Sequence, residues 1–497
     1  MTQPNSPSSA PDADAPLRSV HTNTFVQVLQ QLGISLVVST YQAGKVVVMR
    51  ADGESVNTHF RQFRKPMGIA VSRSAASGQI THRLALGSGA AIWELHNIPD
   101  TAQRIPPVGK HDACFIPRAI HVTGDIDIHE IAWVEDELWF VNTRFSCLCT
   151  LDKQYSFVPR WRPPFISEYD LRDRCHLNGL AIRDGKPKYV TALGETDTPG
   201  GWRNDKASGG ILMDIDSDEI LLRGLSMPHS PRWYDGKLWV LESGRGSLSC
   251  WDGSSQALVS IATLPGFTRG LDFCGPYAFI GLSQIRESAV FSGLPLTQRL
   301  TERICGVWVV DIRNGETIAF LKFEEAVQEI FAVSVLPGIR FPELTEWSPE
   351  LMGSSYVLPN EALVNTVQPS ANWEFAETYF TQGNGLHRQG KLSEAIAAFR
   401  KCLDLQPTYL PARYNLGVIL GDLGQYEEAE TTLKQVIAAE ARHAEACNSL
   451  GFVYSKQQRW EEAIAQYQRA IEIRPNFANA QQNLRLILAQ QENLKSV

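Results

Sequence analysis

Side chains able to bind a ligand or carry a proton recur in this sequence at one place in a repeating pattern: a polar group, a small residue, then an apolar run. His129-Glu130 leads into Ile131-Ala132-Trp133, Asn178-Gly179 into Leu180-Ala181-Ile182, His229-Ser230 into Pro231-Arg232-Trp233, and Arg269-Gly270 into Leu271-Asp272-Phe273. Met67-Gly68 and Gln328-Glu329 begin two further copies, which makes six. Two imidazoles, a carboxylate and an amide that converge have the donor atoms for a divalent cation, calcium or zinc, with Glu130, Asn178 and His229 as candidate metal ligands. The same side chains, crowded at an axis, could instead satisfy backbone groups and buried water. His176, two residues before Asn178, takes a supporting role in this reading.

Loops that follow the second strand of several copies carry arginines: Arg144, Arg203, Arg245 and Arg286. Each could grip a carboxylate or phosphate through two N–H groups, or pair with a neighbouring Asp or Glu as a solvated loop ion pair. The stretch 194–206, with Glu195, Asp197, Trp202 and Arg203, is too long for a mere hairpin turn. The expected ligand-binding set at one mouth is therefore His129, Glu130, Asn178, His229, Arg269, Glu329, Arg144, Arg203 and Arg245. No nucleophile elbow, phosphate-binding loop or dinucleotide fingerprint accompanies it.

What must position these groups is a run of β-structure. From about residue 34 to 337 the pattern is strand, turn, strand, and the six starts lie roughly 40 to 60 residues apart, near the ~40 to 50 of propeller blades. Radially repeated antiparallel sheets also dispose of exposed edges. The last start has no strands after it, while the hairpin 35–49 has no start before it; joined, they complete a sixth blade. The expected fold is a six-bladed β-propeller over residues 22–340, closed by its N-terminal strands and followed by an α-helical array. Before it, residues 1–21, rich in Pro, Ser, Ala and Asp, read as a disordered tail. A short helix over 24–33 stops at Gly33, with Asn23 or Thr24 as its cap. Residues 341–372 read as a linker.

Residues 373–497 keep a strict step of 34: Gly383, Gly417, Gly451; Ala395, Ala429, Ala463; Phe399, Leu433, Tyr467. This part resembles the tetratricopeptide repeat family, and the resemblance implies three helix-turn-helix units and a capping helix. In that family the first helix of each unit lines a concave groove, so the groove residues here are Phe380, Asn384, His387, Tyr414, Val418, Asn448 and Phe452. Aromatic and amide side chains suit a peptide or protein segment. The alternative is a groove filled from within the chain.

The step Asn178-Gly179-Leu180-Ala181 is similar to one in six-bladed propellers that include calcium-dependent lactonases of the gluconolactonase type, strictosidine-synthase-like proteins and NHL repeats. In those lactonases such an Asn binds the metal. The acidic ligands they need are not matched, since His229 and Arg269 stand in the aligned column. The whole arrangement, with Met-Pro-His-Ser-Pro-Arg at 227–232, resembles an uncharacterised bacterial propeller family, a domain of unknown function fused to tetratricopeptide repeats.

The net charge of −8 and the absence of a Lys/Arg block argue against nucleic acid and anionic membrane as partners. No apolar run reaches the ~18 residues of a membrane span. Nine scattered cysteines without a CxxC pair favour a reducing cytoplasm. The expected function is protein interaction or scaffolding, with a second ligand at the propeller mouth. The competing expectation is a metal-dependent hydrolase of lactones or esters centred on Asn178, Glu130 and His229.

Overall fold

The computed structural model describes residues 18–74, 81–253, 257–284, 293–300, 302, 304–346, 352–353, 355–356 and 371–495. The chain divides into two compact units, residues 1–357 and 358–497.

In the first unit the described strands form six sheets. Their inner strands touch in a closed ring: Ile69–Ser74, Ile128–Val134, Leu177–Arg183, Pro228–Tyr234, Phe267–Cys274, Ala332–Pro337 and back to the first. This is a six-bladed propeller. Strands of the middle layers are buried along their whole length, as in Ile34–Thr40 and Cys305–Asp311. Both faces of such a strand are covered, so apolar residues run on without alternation, as in Leu36-Val37-Val38 and Val307-Trp308-Val309-Val310. The hairpins turn on residues suited to left-handed backbone: Asp184-Gly185 and Asp235-Gly236 both have positive φ, as the two central residues of a type I′ turn require.

The ring closes as the sequence pattern implies. Ala332–Pro337 pairs antiparallel with Ile34–Thr40, Ser39 lying opposite Ala332, so the last inner strand and the N-terminal hairpin share one blade. Neighbouring blades are also tied by hydroxyls at the ends of second strands. Ser39 Oγ donates to Met67 O at 2.5 Å, Thr143 Oγ1 to Leu177 O at 2.7 Å, Ser243 Oγ to Thr268 O at 2.5 Å, and Ser283 Oγ to Ile330 O at 3.0 Å.

The expected boundaries change at both ends. Ser19–His21, inside the stretch read as a tail, pairs with Glu316–Phe323 as a fifth strand; residues 1–17 lie outside the described residues. The helix is Asn23–Leu32, and its N-cap is Thr22, whose hydroxyl accepts the Phe320 N–H instead of capping. Pro342–Leu344, read as the start of a linker, pairs parallel with Ala113–Val122. Its Glu343 carboxylate lies 2.7 Å from His59 Nε2, 2.8 Å from an Arg61 nitrogen and 3.6 Å from one of Arg50. Burial works against the charge on Glu343, but His59, Arg61 and Arg50 outweigh it and hold the carboxyl below its ordinary range. This strand clasps the sixth blade to the first, which low-complexity composition hid.

In the second unit the helices pair as Ala371–Arg388 with Leu392–Leu405, Leu410–Asp422 with Tyr426–Ala439, and Ala444–Lys456 with Trp460–Ile473, followed by Ala478–Lys495. The glycines on the 34-residue step mark close approach. A Cβ on Gly383 would come within 2.7 Å of the Phe399 ring, and one on Gly451 within 2.7 Å of Tyr467. No described helix is long and apolar enough to cross a membrane.

Candidate functional site

At one end of the propeller axis lies a cavity of about 400 Å³, lined among others by Tyr41, Asp127, His129, Asp173, His176, Trp202, Arg203, Met227, His229, Phe267, Arg269, Glu329 and Phe331. Local irregularity aims these side chains. Pairing of the inner strands slips at Leu177/Gly179, His229/Arg232 and Thr268/Leu271. Non-glycine residues with positive φ cluster beside the slips: Asp127, Asp173, His176, Met227 and Ser230. Bulges re-aim side chains, and left-handed backbone at non-glycine residues is held by its surroundings at a cost.

The imidazoles share one arrangement. His129 Nδ1 lies 3.2 Å from Asp127 O and 2.8 Å from Thr143 Oγ1. His229 Nδ1 lies 2.9 Å from both Met227 O and Ser243 Oγ. His176 Nδ1 lies 2.8 Å from Asp173 Oδ2. Carbonyl and carboxylate oxygens only accept, and the Thr143 and Ser243 protons are already given to Leu177 O and Thr268 O. Each Nδ1 therefore donates, and the rings of His129 and His229, kept neutral by burial, present a lone pair at Nε2. Burial, with Arg269 and neighbouring imidazoles adding to it, pulls His129 and His229 well below the ordinary histidine range, so both are neutral near pH 7.

Around them stand rings and ions. His129 packs edge-on to His176 at 4.8 Å, and His176 packs on Trp202 at 4.4 Å. Arg269 lies flat on Phe331 at 3.7 Å and pairs with Glu329 at 3.2 Å. Burial lowers its pKa against the pull of Glu329. Asp173 also accepts from Trp202 Nε1 at 3.0 Å and lies 3.7 Å from Arg203. Burial would raise its carboxyl, but His176, Trp202 and Arg203 together hold it below the usual range. The 194–206 loop is pinned from beneath by Arg174, which donates to Asp197 Oδ1 and to Asp170 at 2.8 Å each.

Of the expected mouth set, His129, His229, Arg269, Glu329 and Arg203 line this cavity. Glu130 does not: it is buried and pairs with Arg232 at 2.8 Å. Burial pushes its carboxyl up, with Arg232 pulling the other way. Nor does Asn178, whose Oδ1 accepts from Thr191 Oγ1 at 2.7 Å while Nδ2 donates to Pro228 O at 3.0 Å. Gly179 beside it admits Pro231 of the next blade, whose Cδ a Cβ would meet at 2.3 Å. The Asn-Gly step is thus a blade-to-blade tie, and His176 occupies the mouth in its place. Met67 is fully buried. Arg144 pairs with Asp125 at 2.9 Å and Arg245 with Glu242 at 3.0 Å, both away from the cavity; Arg286 lies outside the described residues.

With Glu130 held by Arg232 and Asn178 by Thr191 and Pro228, the set Glu130, Asn178 and His229 is not brought together as metal ligands. Among the described residues no group of three or more His, Cys, Asp or Glu could hold a metal ion. The spacing of the starts did not mark Asp127, Asp173, Tyr41, Phe267 and Phe331. A position two or three residues before each histidine, as in Asp127/His129 and Asp173/His176, is the signal that would have found the acids.

The expected groove residues of the repeats divide in two. Phe380 packs at 5.1 Å on Tyr409 and Tyr414 at 4.9 Å on His443, and both remain half-buried within the array. Asn384 accepts from Asn415 at 2.8 Å. His387 is half-buried in the first helix. Val418, Asn448 and Phe452 line a recess of about 150 Å³ with Asp422, Ser449 and Asn483.

Comparison with known proteins agrees with this architecture. Residues 386–450 and 444–477 match models of the tetratricopeptide repeat, a fold that supports a protein-interaction scaffold. An uncharacterised protein of Methanocaldococcus jannaschii is 33% identical over 69 residues, 14% of this chain and 80% of that protein. Among solved structures, the first repeat domain of Spaghetti (RPAP3) bound to an HSP90 peptide is 27% identical, with 24% of this chain and 95% of that chain covered and a TM-score of 0.24. MamA from Desulfovibrio magneticus RS-1 is 28% identical, with 24% and 68% covered and a TM-score of 0.23. The model described as Domain of unknown function (DUF4915) matches residues 23–345, the whole ring of blades, and the chain belongs to that family.

Proposed function

We propose that this protein is a two-site scaffold: its helical repeats take an extended protein segment, and the propeller mouth holds a small second ligand. The observation that carries the first part is the recess beside Val418, Asn448 and Phe452, where an apolar wall and amide groups border open space. Such a surface offers an anchor pocket and backbone hydrogen bonding to an extended segment. Among the described residues Asp422 is the one charged residue of the recess lining and no Lys or Arg joins it, so an internal segment suits it better than a chain-terminal carboxylate. All nine cysteines are free thiols, which supports a cytoplasmic setting.

The test is selection of linear peptides on the full-length protein. Peptides recovered should bind a Phe452→Ala/Asn448→Ala variant at least tenfold more weakly, with both proteins melting alike. Undiminished binding to that variant would show that the recess is not the site.

A further inference from the structure

We propose that the propeller mouth binds a small, flat monocarboxylic acid that also carries a hydroxyl, of the phenolic-acid class. Its carboxylate would sit on Arg269 and its hydroxyl would donate to the Nε2 lone pairs of the mouth histidines. This rests on the reading of the mouth as a ligand site and names the chemistry it selects.

The size of the cavity, about 400 Å³, lies at the lower end of the ~300 to 1,000 Å³ of small-molecule sites. That suits a single ring with substituents. Trp202, Phe267, Phe331 and Tyr41 put aromatic carbon on the wall, an apolar border against which a flat ring can pack.

The polar groups then fix the substituents. Arg269 is tied to Glu329 through one nitrogen, and among the described residues no other protein partner takes its remaining N–H groups. A guanidinium so placed accepts a carboxylate through two parallel bonds. His129 also touches Phe331, 5.0 Å between ring centres. Its Nδ1 proton is taken up by Asp127 O and Thr143 Oγ1, and His229 repeats the arrangement with Met227 O and Ser243 Oγ. What each of these cavity-lining rings has left to offer is the Nε2 acceptor.

Two other classes fit less well. A phosphate would set its oxygens against the imidazole lone pairs, because burial and Arg269 keep His129 and His229 unprotonated. An ammonium in the same place would be repelled by Arg269, and two of the acids that line the cavity are already engaged, Glu329 with Arg269 and Asp173 with His176, Trp202 and Arg203. A hydroxyl is a neutral donor and avoids both conflicts.

The experiment titrates four probes into the full-length protein by calorimetry: 4-hydroxybenzoate, benzoate, 4-hydroxybenzyl alcohol and inorganic phosphate. The first should bind at least tenfold more tightly than the second, which lacks the hydroxyl, and than the third, which lacks the carboxylate; phosphate should give no heat of binding. Arg269→Gln should lose at least tenfold for the two acids and leave the alcohol unchanged. Because that variant also releases Glu329, the side-chain ¹⁵N resonances of His129 and His229 in the unaltered protein give an independent readout, and Nε2 of one or both should shift on saturation with 4-hydroxybenzoate. Equal binding of all three aromatic probes, or preference for phosphate, would overturn the proposed class while leaving a ligand site at the mouth. No shift of either histidine with any probe or with a panel of neutral and amine fragments would overturn both.

Discussion

The two ends of the propeller channel are built from the same inner strands and differ in what their polar groups are bonded to. At one end His129, His229 and Arg269 stand near the start of their strands and face the 400 Å³ cavity. At the other, the same strands end in Trp133, Arg232, Trp233, Asp272 and Phe273 around a space of about 470 Å³. That second space is of similar size, and its charges are matched, although Trp133 Nε1 at its border is buried without a hydrogen-bond partner among the described residues. Arg232 pairs with Glu130, and Asp272 accepts the backbone N–H groups of Phe273 and Val335 at 2.9 and 2.8 Å. Buried polar groups that are fully bonded stabilise a fold, whereas groups oriented by the protein on one side and left open on the other are arranged for a ligand. Polarity alone does not separate the two ends; the state of the second nitrogen or oxygen does.

The largest effect that would break this comparison is at the matched end. Removing one member of a buried ion pair leaves the other uncompensated, at a cost of about 3 to 5 kcal/mol. Glu130→Gln or Arg232→Met should therefore lower stability in denaturant titration by about that much without altering the affinity of the mouth for its ligand. Loss of affinity on Glu130→Gln at unchanged stability would reverse the roles given to the two ends. A smaller loss is expected at Thr143, whose hydroxyl both ties Leu177 O and orients His129. Thr143→Val removes the hydroxyl from Leu177 O, at about 1 to 3 kcal/mol, and should also weaken mouth binding, since His129 loses the shorter of the two contacts that hold its Nδ1.

The pattern of amino acids made the architecture plain and the site only half so. Blade starts and the 34-residue step follow from packing that repeats, and repeated packing imposes repeated residue types. The column of starts located His129, His229 and Arg269 because those blades keep the same offset between the polar residue and the strand. In the third blade the slip at Leu177/Gly179 and the left-handed backbone of His176 move the mouth-facing position two residues upstream. Asn178 then turns inward as a tie, and His176 lines the cavity. A bulge changes which residue faces an axis without changing the apolar run that marks the strand. Phe331 and Tyr41 were hidden for another reason: they come from opposite ends of the propeller sequence and meet, ring centres 5.8 Å apart, only because the sixth blade closes the ring.

Acidity sharpens the comparison further. His129 and His229 are held neutral in the folded protein, below the ordinary range, while in the unfolded chain they titrate near pH ~6.5. As pH falls below that value the unfolded state takes up protons that the folded mouth refuses, so stability declines. The slope is at most about 1.4 kcal/mol per pH unit for each histidine. Above pH ~7 neither group contributes to the slope. Melting temperature followed from pH 8 to 5 should show this fall in the unaltered protein and a shallower one in His229→Asn. Parallel curves would mean that His229 takes up its proton without penalty.

The smallest expected effects belong to the arginines outside the cavity. Arg245 and Arg144 sit on the same face of the propeller as the mouth, but each is half-exposed or nearly so and bonded to its own acid, Glu242 or Asp125. Such pairs contribute about 0 to 1 kcal/mol, because water and side-chain entropy offset the attraction. Arg245→Ala and Arg144→Ala should leave both stability and mouth affinity close to those of the unaltered protein. Arg203→Ala should differ: its guanidinium lies on Trp202 at 4.2 Å and borders the cavity. A loss of acid binding confined to Arg203 among these three would show that position relative to the cavity, rather than charge on that face, sets affinity. Equal losses from all three would mean that the mouth attracts anions through its general field, which added salt would then weaken in the same proportion.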